Sequence, residues 1–326
     1  MTAAAALYWR MLRYRVAAMV WMFMLLGAAF PDGLREFSTR YVWATVALAS
    51  SYVAATSVND LADAEIDRVN HPHDAGRPLV TGDAQRRDLW LLHAAASIAA
   101  LAAAAALGAQ AVAVVASSLV IGIAYSLRPL RISYRTYLAP LALAVAYVAV
   151  PYILGGLATQ RAPARPDALL LAGLYLLFVA RIVLKDFRDR EGDRLYGKPT
   201  LLLRFGKTTT CATSVVALLA GNCLLVAALR PGPAVALLLE VFVVSIIWML
   251  RRLHVAADAR REQVAIGIGA RMGNGLLIVV LSWLVLGRGA PPEAALAFAA
   301  ALTALFGLAF ALLVARPEEA VIGYKG

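Results

Sequence analysis

Apolar residues run along this chain in long blocks, without the alternation of a half-buried strand or the one-sided periodicity of a surface helix. The blocks cover residues 16–30, 41–58, 89–107, 111–127, 137–157, 168–184, 209–229, 234–250, 266–287 and 292–315, and the connections between them hold most of the charge. A hydrocarbon core about 30 Å thick takes about 20 apolar residues of helix, and shorter runs span when flanking side chains snorkel. The pattern predicts an all-α bundle of nine or ten transmembrane helices enclosing a central cavity. Two blocks set the count. The first is short, and the ninth carries Arg271 among Gly269, Gly273 and Gly275, the marks of a broken or re-entrant helix. Residues 1–326 read as a single membrane-embedded domain.

Composition agrees, with 62% hydrophobic and 16% charged residues in a chain of 326, far from the mixture of soluble domains. The block at 16–30, preceded by Arg10, Arg13 and Arg15, resembles a secretory leader, but the segments that follow need none. Cys211 and Cys223 share the seventh block and suggest neither a metal site nor a disulfide framework. His71 and His73 read as solvated loop residues. A net charge of +11 is compatible with nucleic acid, an acidic substrate or an anionic membrane. Position decides among them. Lys and Arg alternate from connection to connection, 23 against six with Arg181 and Arg271 left in or near helices, which places the N-terminus and the longer charged loops on the cytoplasmic side of the cell membrane. With topology explaining most of the charge, and no RNA-binding motif or basic tail, nucleic acid is not expected as a partner.

Two acidic stretches then stand out. "NDLADAEIDRVNHPHDAGRP" at 59–78 follows the second block, and "KDFRDREGDRLYGKPT" at 185–200 follows the sixth. Asp60, Asp63 and Asp67 have the spacing i, i+3, i+7, and Asp186, Asp189 and Asp193 repeat it. On a helix that spacing gathers three carboxylates on one face. Such a face repels itself unless a cation intervenes, and hard oxygen ligands suit Mg²⁺, which is commonly held by a few carboxylates plus substrate phosphates. Two facing clusters are thus able to clamp Mg²⁺ around a diphosphate, with Asn59 adding an oxygen or an amide donor. The alternative is a wet acidic rim paired with neighbouring arginines. Glu65 and Glu191 fall off the shared faces and read as solvated. Arg77, Arg181, Lys185 and the cations of 190–198 are phosphate partners by chemistry. Arg181 interrupts an apolar run and is expected to face the interior with an anion as partner. Arg128, Arg131 and Arg135, beside Tyr125, serve either phosphate or topology. Tyr147, Tyr152 and Tyr175 either face a carbocation or pack.

These residues carry a resemblance. "NDLADAEIDRVN...GRPLVTG" and "KDFRDREGDRLYGKPTLLLRFG" are similar to the two signatures of the UbiA superfamily of intramembrane prenyltransferases, in the same order and with the same spans between them. The resemblance implies a prenyl diphosphate bound through Mg²⁺ held by Asp60, Asp63, Asp67, Asp186, Asp189 and Asp193. Asn59, Arg77 and Lys185 match the family's motif positions near the diphosphate, and Arg181 and Arg128 join them as diphosphate contacts by their own chemistry and placement. It implies ionisation to an allylic cation, captured by a small lipophilic or aromatic acceptor. "EGDR" and "GKPTL" are closest in style to the digeranylgeranylglyceryl phosphate, chlorophyll and homogentisate branches, while the "HPHDAG" before Arg77 is longer than the usual form. Two other readings stay open. One is a cyclase of the same superfamily, in which an internal double bond captures the cation. The other is a transporter, which predicts carboxylates near the bilayer midplane instead of at helix ends.

Overall fold

The computed structural model describes residues 3–34, 38–161 and 164–286, with isolated positions beyond them. The tenth block, at 292–315, lies outside the described residues but for such positions, as do Arg35, Arg288, Arg316 and Lys325. Everything regular in the described residues is helical. First come α1 (Ala3–Leu12) and α2 (Tyr14–Ala29), parted by Arg13, whose left-handed backbone (φ 45°) interrupts the helix. The long α3 (Thr39–Asn70) starts where the Ser38 side chain accepts a hydrogen bond from Arg40 N–H. A four-residue α4 (Pro78–Thr81) begins on proline, whose missing N–H costs nothing at that position. Then follow α5 (Arg86–Ala105) and α6 (Ala109–Ser126). The next span is α7 (Leu138–Ala144), a π-helical turn (Val145–Ala149) and α8 (Val150–Ala158). Pro151 supplies the cause of the π turn, since its ring cannot accept the regular backbone path of the preceding turn. Then come α9 (Arg165–Ile182), a 3-10 turn (Val183–Phe187), a short α10 (Arg190–Leu195), α11 (Leu201–Leu229), α12 (Pro233–Val255) and α13 (Ala259–Leu286).

Among the described residues eight helical segments are long and apolar enough to cross a membrane, nine if α1 and α2 form one bent span. The protein is an integral membrane protein. The expected break in the ninth span is absent, because α13 runs unbroken through Gly269, Gly273 and Gly275. Those glycines thin the helix instead. A Cβ on Gly275 would stand 2.4 Å from the Phe242 ring, while one on Gly273 would meet open space.

The helices close a ring: α3 packs on α5 and α6, α6 on α8, α8 on α2, α2 on α13, and then α13, α12, α11 and α9 follow in turn, with α9 returning to α7. Lipid gives little hydrophobic drive between helices, so close backbone approach through small residues takes over. Gly27 and Gly155 do this where α2 meets α8, since a Cβ on either would lie 1.9 Å from a backbone oxygen of the other helix, Tyr152 O or Met24 O. At that same end Arg40 donates to the carbonyls of Leu107, Leu157 and Ala158, and Arg161 forks onto Asp167 while also reaching Gly27 O. The opposite end carries the two acidic stretches.

Candidate active site

At 32 residues α3 is about 48 Å long at 1.5 Å per residue, well beyond a 30 Å hydrocarbon core. Its surplus is the last three turns, and these carry Asn59, Asp60, Asp63 and Asp67. Continuous helix through the stretch makes the predicted shared face real. Each carboxylate nonetheless meets a cation of the chain, and Arg77 bridges two of them. Asp60, 2% exposed, takes Arg13 Nη2 on both oxygens at 2.6 and 2.8 Å and Arg77 Nη1 at 3.1 Å. Asp67 accepts from the same Arg77 nitrogen. Asp63 Oδ2 accepts from Lys198 Nζ at 3.2 Å and Asn59 Nδ2 at 3.3 Å. Arg77 reaches back because the lengthened "HPHDAG" loop folds on itself, with Asp74 accepting from Gly76 N–H and Gly76 O accepting from Arg13.

The second motif departs from the expected single helical face. Asp186 lies in the 3-10 turn after α9, Asp189 precedes α10, and Asp193 lies within it. The break has a packing cause: α10 lies directly against the end of α3. A Cβ on Gly192 would be 2.7 Å from both Ile66 O and Asn70 Nδ2, and Gly192 N–H donates to Asn70 Oδ1 at 2.7 Å. The chain then turns at Gly197 (φ 64°), Lys198 N–H returns to Asp193 O, and Thr200 caps α11. This turn aims Lys198 between the motifs, with Nζ 3.2 Å from Asp63 Oδ2 and 3.6 Å from Asp193 Oδ1.

Electrostatics follow from that crowding. Burial pushes the Asp193 carboxyl up to about 6 despite Lys198 nearby. Burial opposes the Asp189 charge as well, but a hydrogen bond from His71 and the adjacent Arg188 hold its carboxyl well below the usual range. His71 Nε2 lies 3.0 Å from Asp189 Oδ1, so His71 joins the motifs instead of standing in solvent, whereas His73 is exposed as expected. For Lys198 burial disfavours the cation, yet Asp63, Tyr125 and Asp193 keep it charged well above the ordinary lysine range.

A cavity of about 420 Å³ opens between the motifs. Asn59, Asp63, Asp67, Arg77, Arg181, Lys185, Asp189 and Asp193 line it, as do Arg13 and Lys198. Three predicted residues do not. Asp60 is held aside by its two arginines. Asp186 faces a separate pocket of about 20 Å³ beside Lys198 and Thr200. Arg128 is exposed at the surface, and the arginine of its loop that approaches the site is Arg131, stacked on Tyr134 at 3.8 Å with Nη2 4.0 Å from Asp63 Oδ1. Arg181 donates to Asn274 of α13, and Lys185 to the Tyr125 hydroxyl at 3.1 Å. Deeper in, Tyr147 on the π turn stacks on Phe178 at 5.6 Å, and Tyr52 and Phe23 meet this pair edge-on at 5.8 and 6.3 Å. Tyr152 instead donates to Asp167 at the far end, and Tyr175 to Leu141 O.

Sequence reasoning does not reach the site roles of Arg13 and His71 or the rings of Phe23, Tyr52 and Phe178. Arg13 is indistinguishable from a topology-setting arginine until α3 is folded beside it. Glu65 and Glu191 are exposed, as their positions off the shared faces suggest.

Among the described residues no three acidic, His or Cys side chains are arranged as a closed metal cage. Cations of the chain itself occupy that space. Two buried carboxylate oxygens, Asp63 Oδ1 and Asp193 Oδ1, nevertheless have no hydrogen-bond partner, one from each motif.

Comparison with known proteins identifies the family and the fold. The model of the UbiA prenyltransferase family matches residues 19–275. The chain is 30% identical to the bacteriochlorophyll synthase 34 kDa chain of Chloroflexus aurantiacus over 46% of its own length and 47% of that protein's. It is 32% identical to the homogentisate phytyltransferase of Synechocystis over 51% and 54%. The chain thus spans about half the length of these curated relatives. Its fold is similar to that of a UbiA homolog from Archaeoglobus fulgidus bound to GPP and Mg²⁺, with a TM-score of 0.65 at 17% identity, covering 85% of this chain and 99% of that one.

Proposed function

The chain belongs to the UbiA prenyltransferase family, and on that premise we propose that it transfers a prenyl group from an isoprenyl diphosphate to a small lipophilic, aromatic acceptor inside the membrane, with Mg²⁺ as cofactor. The observation that carries this reading is the pair of buried carboxylate oxygens that accept no hydrogen bond, Asp63 Oδ1 and Asp193 Oδ1, held only by the longer ion pairs to Arg131 and Lys198 at the polar end of a cavity whose other end is apolar. Hard, buried oxygens from two elements fit a Mg²⁺ ion that takes its remaining ligands from phosphate and water. Asp63, Asp67, Asp189 and Asp193 would hold it, with Asp60 and Asp186 behind them. When bound, Mg²⁺ supplies positive charge at the diphosphate leaving group.

The chain's own residues do the rest. Arg77, Lys185 and Arg181 offer donors to the diphosphate, and Arg131 takes the place proposed from sequence for Arg128. Asn59 fixes Asp63 through its amide. As the bond between carbon 1 and the diphosphate oxygen breaks, Phe23, Tyr52, Tyr147 and Phe178 present ring faces and edges to a cationic chain, and the surrounding helices keep water out. The acceptor ring forms the new bond to carbon 1 and gives its displaced proton to diphosphate or to an aspartate. The aromatic box equally suits a cyclase, in which a double bond of the same chain captures the cation. We place the motifs on the cytoplasmic face on the strength of the charge asymmetry.

The test is diphosphate release by purified protein with geranyl, farnesyl and geranylgeranyl diphosphates, with and without Mg²⁺, followed by product analysis with and without aromatic acceptors. Release that needs Mg²⁺ and falls at least about 100-fold in Asp63→Asn and Asp189→Asn is expected, an amount that treats each carboxylate as worth about 3 kcal/mol in the transition state. A folded protein that releases no diphosphate from any donor, with all acceptors tried, would sink the reading. A free terpene formed without acceptor would select the cyclase.

A further inference from the structure

On five of the helices that line it, α2, α3, α6, α9 and α13, the cavity stops at one level. On α3 the lining stripe ends at Leu48 and on α6 at Ser118, while Ala44 and Val115, one turn further, are 0% and 1% exposed and closed off from it. On α2 it ends at Phe23, with Leu26 fully buried beyond. The same holds on α9 at Leu177, with Leu174 beyond, and on α13 at Leu277, with Val280 beyond. Ser51 Oγ donates to Ser118 Oγ at 3.0 Å, tying α3 to α6 at this level with both side chains almost wholly buried. The cavity has a floor.

Its depth can be read along α3, which is continuous helix from Leu48 to Asp63. Those residues span about 22 Å at 1.5 Å per residue. An extended isoprene unit advances about 5 Å over four carbon–carbon bonds of roughly 1.5 Å each. The Asp63 carboxylate and the first phosphate take up the top few ångströms, which leaves room for between three and four units.

We propose that Leu48 and the hydrogen-bonded Ser51–Ser118 pair form a chain-length gauge that seats the tail of a donor of about 15 to 20 carbons wholly inside the protein. The inference rests on the prenyl diphosphate reading above and names which donor that reading takes. Tails shorter than this leave the floor unfilled and forgo apolar contact. Longer ones must fold back or push a helix aside.

The experiment measures kcat/KM for donors of 10, 15, 20 and 25 carbons in the wild type, Ser118→Phe and Leu48→Ala. The wild type is expected to prefer 15 or 20 carbons and to lose at least tenfold at 25. Ser118→Phe, which raises the floor by about a turn of helix, should lose at least tenfold at 20 carbons and keep most of its activity at 10. Leu48→Ala should gain several-fold at 25 carbons, a change that general damage does not produce, and it carries the test alone should Ser118→Phe fail to fold. Wild-type turnover that is equal at 20 and 25 carbons would overturn the gauge, since the tail would then be leaving sideways into lipid. So would unchanged length profiles in folded variants. A wild type inactive on every donor would instead count against the underlying reading.

Discussion

Lys198 is a monovalent cation built into the place where two acidic motifs would otherwise repel. Its ammonium lies within 4 Å of Asp63 and of Asp193, and all three side chains are at most 10% exposed. Removing one partner of a buried ionic contact leaves an uncompensated charge and costs on the order of 3 kcal/mol. Lys198→Met is therefore expected to lower the thermal midpoint markedly without Mg²⁺. Added Mg²⁺ should restore more stability to this variant than to the wild type, because a divalent ion then meets carboxylates with no competing lysine. Thermal unfolding across a Mg²⁺ series checks it, and identical Mg²⁺ responses in the two proteins would refute the assignment. The sequence marks Lys198 only as one of several cations near the second motif. Its aim depends on the left-handed turn at Gly197 and on the bond from its own N–H to Asp193 O, neither of which a charge pattern encodes.

The two motifs share a spacing in sequence but not a structure, and the difference lies in what each element packs against. α3 is long, capped and continuous, so its i, i+3, i+7 aspartates are legible as one face from their spacing alone. The second motif bends through a 3-10 turn into a six-residue helix because Gly192 must press against Ile66 O and Asn70, residues more than 120 positions earlier in the chain. No local rule predicts a contact of that sequence separation. Gly192→Ala tests its importance, since a Cβ 2.7 Å from a backbone oxygen forces α10 away from α3 and carries Asp189 and Asp193 with it. Turnover should fall at least about tenfold, in keeping with the sensitivity of positioned groups to displacements of about 1 Å. The apparent Mg²⁺ requirement should rise while the helical content stays unchanged. Wild-type kinetics in Gly192→Ala would show that the contact is incidental.

Across the whole molecule the two ends of the bundle divide the work. The motif end is open, crowded with charge and fed by side chains from α2, α3, the α4 loop, α9, α10 and the turn before α11. The far end is tied by backbone-directed arginines: Arg40 joins the α5–α6 connection to the end of α8, and Arg161 holds Asp167 and Gly27 O together. Cations that satisfy helix C-terminal carbonyls are favourable, and hydrogen bonds from a charged donor are worth about 1.5–3 kcal/mol each where the acceptor is otherwise unpaired. The charge asymmetry in the sequence marks this end as the poorer in arginine, but not that the few arginines there serve as ties. Beneath the floor set by Leu48 and Ser118, these ties have no route to the diphosphate except through the fold. Arg40→Gln should therefore lower the thermal midpoint by several degrees, about 2 kcal/mol by that scale, and leave kcat, KM and the donor-length profile unchanged. Paired unfolding and kinetic measurements decide it. A length profile shifted by this substitution would mean that the floor is held by the far-end ties and not by the Ser51–Ser118 contact, and would move the gauge from two helices to the bundle as a whole.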